Sequence, residues 1–430
     1  MNSPANFKWI ALTIAVLILS ANGNSAPDPK WWNAAQSSQP QVIQTLQELV
    51  SIESGSKDLE GLAKMAAAIE SRLKGLGMKT RREKTTSGPG GDIVIGSNEG
   101  KGKLRVMLQA HMDTVYPRET LQTQPYHRDG NRIYGPGIAD DKGGIAIILH
   151  GLKILADAGW TDFASLTVLV NPDEEIGSPG SGQLITSLAA EHDVVLSFEP
   201  SESKEASDKD TVVLGTAGVT RIVMKVQGRA AHAGVAPESG RNALVELAHQ
   251  IVDTRDIAES VPGAKLNWTV ASTQNANNQI PELAIATADV RSTQPGADEK
   301  ILEALKARTQ TNRLVPETQV SFEMQKGRPT FMANAKGREL GEMALAIYRE
   351  MGRELVIKPM VGGGTDAAFA NLSGKPAVIE GLGLPGWGYH ARDEYIDING
   401  ISPRLYLLVR MLEQLGQNPA LSVTHPRSWR

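Results

Sequence analysis

Cysteine is absent from all 430 residues. That excludes disulfides, a thiol nucleophile and cysteine-ligated zinc, so any metal must be held by His, Asp and Glu. A basic tract is also missing, and the formal net charge is −4. Nothing therefore points to nucleic acid or to an anionic membrane as a partner. There is no low-complexity run and no internal repeat. What remains is ordinary for a soluble globular protein, 41% hydrophobic and 21% charged. The length suits two domains.

The N-terminus carries an apolar run from Trp9 to Leu19 broken only by Thr13, with Lys8 before it and SANGNSA after it. The run is well short of the roughly 20 residues that span a bilayer. It predicts a secretory leader over residues 1–26, cut between Ala21 and Ala26, with an uncleaved anchor as the rival reading. The mature protein is then periplasmic or secreted, with no stable membrane insertion.

Beyond residue 27 helical and strand periods alternate. Residues 41–54, 59–76 and 144–156 read as amphipathic helices, and 92–95, 104–108, 166–170 and 194–198 as buried strands. This order predicts an α/β domain with a mostly parallel central sheet. Residues 217–327 read differently, as strand, helix, two strands, helix, strand: an α+β sandwich inserted into the larger domain. The α/β pattern resumes with a helix over 337–351, a strand over 377–379 and a helix over 403–415. The division is thus 27–216 with 328–430 for the large domain, and 217–327 for the insert.

Acids and histidines gather where these strands end. The strand 104–108 runs into His111-Met112-Asp113, 166–170 into Asp173-Glu174-Glu175, and 194–198 into Glu199. The strand 377–379 leads to a glycine-rich loop with Tyr389-His390, and Asp140-Asp141 stands at the start of the helix 144–156. In parallel α/β sheets the ligand site lies beyond the carboxyl ends of the strands. Asp113, Asp140, Asp141, Glu174, Glu175 and Glu199 would then share one crevice. Carboxylates that close repel and raise one another's pKa. Either each is a cap or a solvated loop residue, or divalent cations neutralise the set; two zinc ions with two histidines would balance it. His111, His232 and His390 have glycine, acid or strand-end neighbours, whereas His150 and His249 fall in helical patterns and His127, His192 and His425 in polar loops.

Seven segments, read in order, resemble a known family. They are HMDTV at 111–115, GIADDKGG at 137–144, DEEIGS at 173–178, SFEP at 197–200, AHAG at 231–234, GGGTDA at 362–367 and GLPGWGYH at 383–390. Together they are similar to the co-catalytic zinc peptidases that include glutamate carboxypeptidase, succinyl-diaminopimelate desuccinylase and aminoacylase, most of all to the glutamate carboxypeptidase branch. The resemblance spans nearly the whole chain after the leader. It implies two zinc ions per subunit, one on His111, Asp140 and Glu199 and the other on Asp140, Glu175 and His390. It implies Glu174 as general base for a metal-activated water, and Asp113 as the partner that orients His111. A glutamate at position 199 is the family's carboxypeptidase and desuccinylase form. The insert is implied to form a homodimer, with His232 reaching the partner's site to steady the oxyanion.

Substrate contacts follow from the same resemblance: Arg291, Asn278 and Arg328, with backbone donors at Gly363, Gly364 and Thr365. One position departs from it. The glutamate-reading lysine of that branch falls on Thr211, and Lys209 lies two residues earlier. The resulting expectation is an exported carboxypeptidase that releases a C-terminal residue, glutamate-like or otherwise acidic, from peptides, folate-type amides or N-acyl amino acids. An aminopeptidase, or a desuccinylase or aminoacylase type of amidase, is the alternative within the same chemistry. A non-catalytic periplasmic binding protein is the alternative outside it.

Overall fold

The computed structural model describes residues 26–202, 209–273, 276–418 and 421. The predicted leader, Ala26 apart, and His425 lie outside them. In chain order the strands of the two main sheets are β1 (Lys79–Lys84), β2 (Asp92–Glu99), β3 (Arg105–His111), β4 (Ser165–Asn171), β5 (Val194–Ser197), β6 (Gly218–Gln227), β7 (Ala264–Ser272), β8 (Leu283–Ser292), β9 (Gln319–Lys326) and β10 (Ala377–Ile379). The longer helices are α1 (Pro29–Val50), α2 (Leu59–Gly75), α3 (Lys142–Asp157), α4 (Ala243–Asp253), α5 (Ala297–Thr311), α6 (Ala335–Glu350) and α7 (Ile401–Gln417).

The large sheet has the order β1-β2-β4-β3-β5-β10. β4, β3, β5 and β10 run parallel to one another, while β2 is antiparallel to β4 and β1 to β2 at one edge. Strands such as β3 (RVMLQAH) are buried almost throughout, because helices cover both faces of a parallel sheet. The sheet is therefore parallel only in its site-bearing part. β1 escapes a hydrophobic pattern because its sequence, KTRREK, is largely exposed.

Helix α1 corrects the expected start at residue 41. It begins at Pro29, capped by the Asp28 carboxylate, which accepts from the Lys30 N–H at 2.9 Å. Pro40 lies inside it and lacks an N–H, normally a reason to end a helix. Trp31, Ala35, Val42, Leu46 and Leu49 are buried along one face, against α3 and α7, and that packing holds the helix through the proline.

Residues 218–326 build a separate antiparallel sheet of order β7-β8-β6-β9. Alternate residues of β6 and β8 are buried. Ile222, Ala288 and Val290 pack on Ile301 and Leu305 of α5, and Met224, Ala284 and Ala286 on Ala243 and Leu247 of α4. Both helices thus cover one face. The chain enters and leaves this unit side by side: Gly215–Thr216 pairs antiparallel with Phe331–Met332.

His150 sits on α3 with its Nε2 2.9 Å from the Thr45 Oγ1 of α1. Burial, with Arg72 and Lys153 nearby, pushes its pKa down from 6.5 to about 4. The folded ring thus gives up its proton more readily than the unfolded one. Stability is complete above about pH 6.5 and drains as the pH falls toward 4. Replacing His150 with Gln, which keeps a partner for Thr45, should flatten the stability-pH slope in that window by up to about one proton. Urea unfolding at a series of pH values measures it.

Candidate active site

Six side chains meet at the carboxyl ends of the parallel strands. His111 is the last residue of β3, Glu174 and Glu175 open a 3-10 turn after β4, and Glu199 lies two residues beyond β5. Asp140 comes just before α3, whose cap is Asp141 rather than Asp140: the Asp141 carboxylate accepts from the Gly144 N–H at 3.1 Å. Gly144 is needed there, since a Cβ would fall 2.3 Å from the Phe198 carbonyl oxygen. His390 comes from the loop after β10, at a φ of 64° that non-glycine residues seldom adopt.

Asp140 is the centre of the arrangement. Its Oδ1 lies 2.9 Å from His111 Nε2 and its Oδ2 3.5 Å from His390 Nε2. Glu199 approaches His111 Nε2 at 3.7 Å, and Glu175 approaches His390 Nε2 at 3.0 Å. Ligand atoms of His111, Asp140 and Glu199 lie within 4.8 Å of one another, as do those of Asp140, Glu175 and His390. Two groups, each with one imidazole and two carboxylates, share one aspartate that offers an oxygen to each. Nitrogen and oxygen donors in this number fit a pair of zinc ions.

The charges around Asp140 show why cations suit the place. Burial raises Glu174, Glu199 and Glu175 above the usual carboxylate range, and repulsion among these acids and Asp140 adds to it. Although burial acts the other way, the Glu199 charge and hydrogen bonds to Asp113 and Asp140 hold His111 well above its ordinary pKa. Hydrogen bonds to Asp140 and Glu175 push His390 up to about 10. The imidazoles bind protons where the donor geometry suits metal.

Asp113 supports both neighbours. Its Oδ1 is 3.3 Å from His111 Nδ1, the ring nitrogen facing away from Asp140. It also accepts from the N–H groups of Glu174 and Glu175 at 3.0 and 3.1 Å, and from Ser56 Oγ at 2.8 Å. One carboxylate therefore orients an imidazole and fixes the turn bearing the glutamate pair.

The residues assigned by resemblance to substrate divide into two places. Arg291, Arg328, Gly363, Gly364 and Thr365 line a cleft of about 1310 Å³ together with Glu174 and His390. Arg328 is buried and already engaged. It pairs with Glu174 Oε1 at 2.7 Å, lies 3.7 Å from Asp366 and donates to the carbonyls of Glu174 and Gly364. Arg291 pairs with Asp289 at 2.9 Å. His232 and Asn278 sit apart on the small unit, where the Ala233 N–H donates to the Asn278 carbonyl at 2.8 Å. Both are exposed, and neither lines the cleft of its own chain. Thr211 is buried, its hydroxyl accepting from the Glu202 N–H at 3.3 Å. The other described histidines stay outside the site. His192 Nε2 is 2.9 Å from Thr167 Oγ1, and His127 stacks on Tyr134.

Three buried acids were not singled out from the sequence. Glu394 accepts from the N–H groups of Gly137, Ala139 and Asp140 at 2.9, 2.9 and 3.0 Å, and from the Tyr116 hydroxyl at 2.7 Å. It cradles the loop that presents Asp140. Glu380 accepts from the Glu199 N–H at 3.2 Å and from Thr365 Oγ1 at 2.8 Å. Asp366, inside the GGGTDA segment, accepts from Asn171 Nδ2 at 2.7 Å and from the Ser178 hydroxyl. The one sequence signal for Glu394 is its place four residues after His390. In Glu394→Gln one of the two accepting oxygens becomes an NH2 that cannot accept, so at least one N–H of the 137–140 loop loses its partner and the support of Asp140 weakens. Zinc affinity, measured by competition with a chromophoric chelator, should fall about 10- to 100-fold with the fold intact by circular dichroism.

Residues 107–414 match the family described as Peptidase family M20/M25/M40. The chain is 44% identical over 386 residues to Carboxypeptidase G2 of Pseudomonas sp. (strain RS-16), covering 90% of this chain and 92% of the relative. It is 27% identical over 375 residues to the succinyl-diaminopimelate desuccinylase of Cupriavidus necator, covering 81% and 93%. A tripeptidase of Staphylococcus aureus has the same fold, with a TM-score of 0.72 at 19% identity over 88% of this chain and 99% of that one. So does an M20 family metallo-carboxypeptidase of Sulfolobus solfataricus, with a TM-score of 0.70 at 17% identity over 88% and 99%. The chain belongs to peptidase family M20/M25/M40, in its metallo-carboxypeptidase branch.

Proposed function

We propose that this protein is an exported zinc carboxypeptidase that hydrolyses the amide bond to a C-terminal amino acid. The observation behind this reading is the placement of Asp140, with one oxygen toward each of two histidine-containing groups and Glu174 beside them. One zinc would be held by His111, Asp140 and Glu199, and the other by Asp140, Glu175 and His390. When bound, the pair supplies a Lewis acid and lowers the pKa of water toward neutrality. Glu174, raised above the usual range mainly by burial, would take a proton from that water and pass it to the leaving amine. Arg328 holds that carboxylate in place. Asp113 keeps the His111 ring turned toward Asp140.

The released residue would lie in the cleft, where Arg221, Arg291, Lys326 and Lys358 favour a free carboxylate and an acidic side chain. Gly363, Gly364 and Thr365, which also line the cleft, would offer backbone donors. Lys358, on the strand beside Thr211, supplies cationic character that Thr211 lacks, and it pairs with Glu202 at 3.0 Å. Peptides, folate-type amides and N-acyl amino acids all fit this description. Residues 217–327 would form the dimer contact between the two parts of the zinc-binding domain. His232 and Asn278, exposed and remote from their own cleft, would then serve the partner's. The leader over residues 1–26 would direct the protein to the periplasm or outside. Among the described residues no helix is long and apolar enough to cross a membrane.

Two measurements test this. Glu174→Gln should lower kcat by about 10³-fold while zinc, counted by atomic absorption, stays bound; undiminished turnover would overturn the mechanism. A peptide with a free C-terminus should be cleaved and its C-terminally amidated twin should not. Equal cleavage of both would favour an amidase or aminopeptidase instead. Removing metal with a chelator should abolish activity, and zinc should restore it.

A further inference from the structure

The two histidines of the site are held in different ways. His111 is buried, and the Asp113 carboxylate stands behind its Nδ1 at 3.3 Å. The His390 side chain is 56% exposed, and among the described residues only its Nε2 meets partners, Asp140 and Glu175. No carboxylate turns this second ring from behind. It is aimed by its backbone, which takes positive φ values at Gly388 and at His390 itself, 76° and 64°. Such a loop keeps its aim only if something fixes it.

Tyr116 is placed to do so. Its oxygen lies 2.7 Å from the Ala391 carbonyl oxygen and 2.7 Å from Glu394 Oε2, and the hydroxyl donates its one proton to either. Gln124 Nε2 adds only a longer bond to the same carbonyl, at 3.4 Å. Both partners of the phenol belong to the segment that leaves His390, and Glu394 also accepts from the Asp140 N–H at 3.0 Å. Burial and the Glu394 carboxylate raise the phenol above its ordinary pKa, so the proton stays on it. Tyr116 is itself anchored. The Thr114 N–H donates to the Ser54 carbonyl at 3.0 Å, and the Ser56 N–H donates to the Thr114 carbonyl at 3.1 Å. Gly55 packs so closely on Tyr116 that a Cβ there would lie 2.3 Å from the Tyr116 carbonyl oxygen.

We infer that Tyr116 is a positioning residue for His390, its hydroxyl setting the loop from which that imidazole meets Asp140 and Glu175. The inference rests on the two-metal reading proposed above. Residues 111–116 then serve both groups of ligands. The Asp113 carboxylate orients one imidazole directly, and the Tyr116 phenol orients the other through its backbone. An outer hydrogen bond of this kind tunes metal affinity without touching the metal.

The test titrates zinc into the metal-free full-length protein against a chromophoric chelator. The wild type should take up two equivalents. In Tyr116→Phe, which keeps the ring and removes the hydroxyl, one equivalent should weaken about tenfold and the other keep its affinity. The kcat of this variant, low at limiting zinc, should return to the wild-type value in excess zinc. In a His390→Ala background, which leaves one group intact, adding Tyr116→Phe should change the remaining affinity by no more than about twofold. Two unchanged equivalents, an equal weakening of both, or a loss that excess zinc does not restore overturns the assignment. So does a loss seen in Tyr116→Leu but not in Tyr116→Phe, because the ring and not the hydroxyl is then at work. A wild type that binds fewer than two equivalents defeats the two-metal reading, and this inference with it.

Discussion

Everything about this fold's reactive edge follows from gathering negative charge out of water. Asp140, Glu174, Glu175 and Glu199 occupy one small, largely buried volume. Two unit charges about 4 Å apart interact by about 4 kcal/mol even at the effective dielectric of a protein surface. The surrounding structure answers that repulsion group by group. Two imidazoles face Asp140, Arg328 faces Glu174, and buried acids behind them hold the loops in place through backbone N–H groups. Metal ions complete this balance, which is why the ligand geometry and the charge geometry coincide.

The support behind the ligands is as ordered as the ligands. Asp113, Glu394 and Glu380 each accept a backbone N–H from the segment that carries a site acid. Asp113 serves the Glu174-Glu175 turn, Glu394 the Asp140 loop and Glu380 the start of the Glu199 segment. None of these contacts adds charge of the needed sign. Their effect is geometric: loops that would otherwise retreat from one another are tied down, and the carboxylates cannot relieve their repulsion by moving apart.

Much of this was readable in the sequence, for reasons that differ by element. β3, β4 and β5 announce themselves because both faces are buried and apolar residues dominate each run. His111, Glu174 and Glu199 are legible because each stands where such a run stops. β1 is silent because its side chains face solvent. The first half of α1 is hidden behind Pro40, whose local penalty says nothing of the packing that overrides it. Glu394 and Glu380 could not be picked out, since their partners, main-chain N–H groups and the Tyr116 and Thr365 hydroxyls, are brought near only by the completed fold. Arg328 was read as a substrate contact; its pairing with Glu174 depends on a return of the chain across more than 150 positions.

The joint between the two sheets gives this last pairing a further significance. Gly215–Thr216 and Phe331–Met332 are paired where the chain passes into the small unit and back, and the Val219 N–H donates to the Arg328 carbonyl beside them. Arg328 stands three positions before Phe331, at the mouth of that narrow ribbon. The guanidinium next to that ribbon is the one gripping Glu174. The seam between the two sheets is thereby tied, through a single side chain, to a carboxylate of the reactive edge.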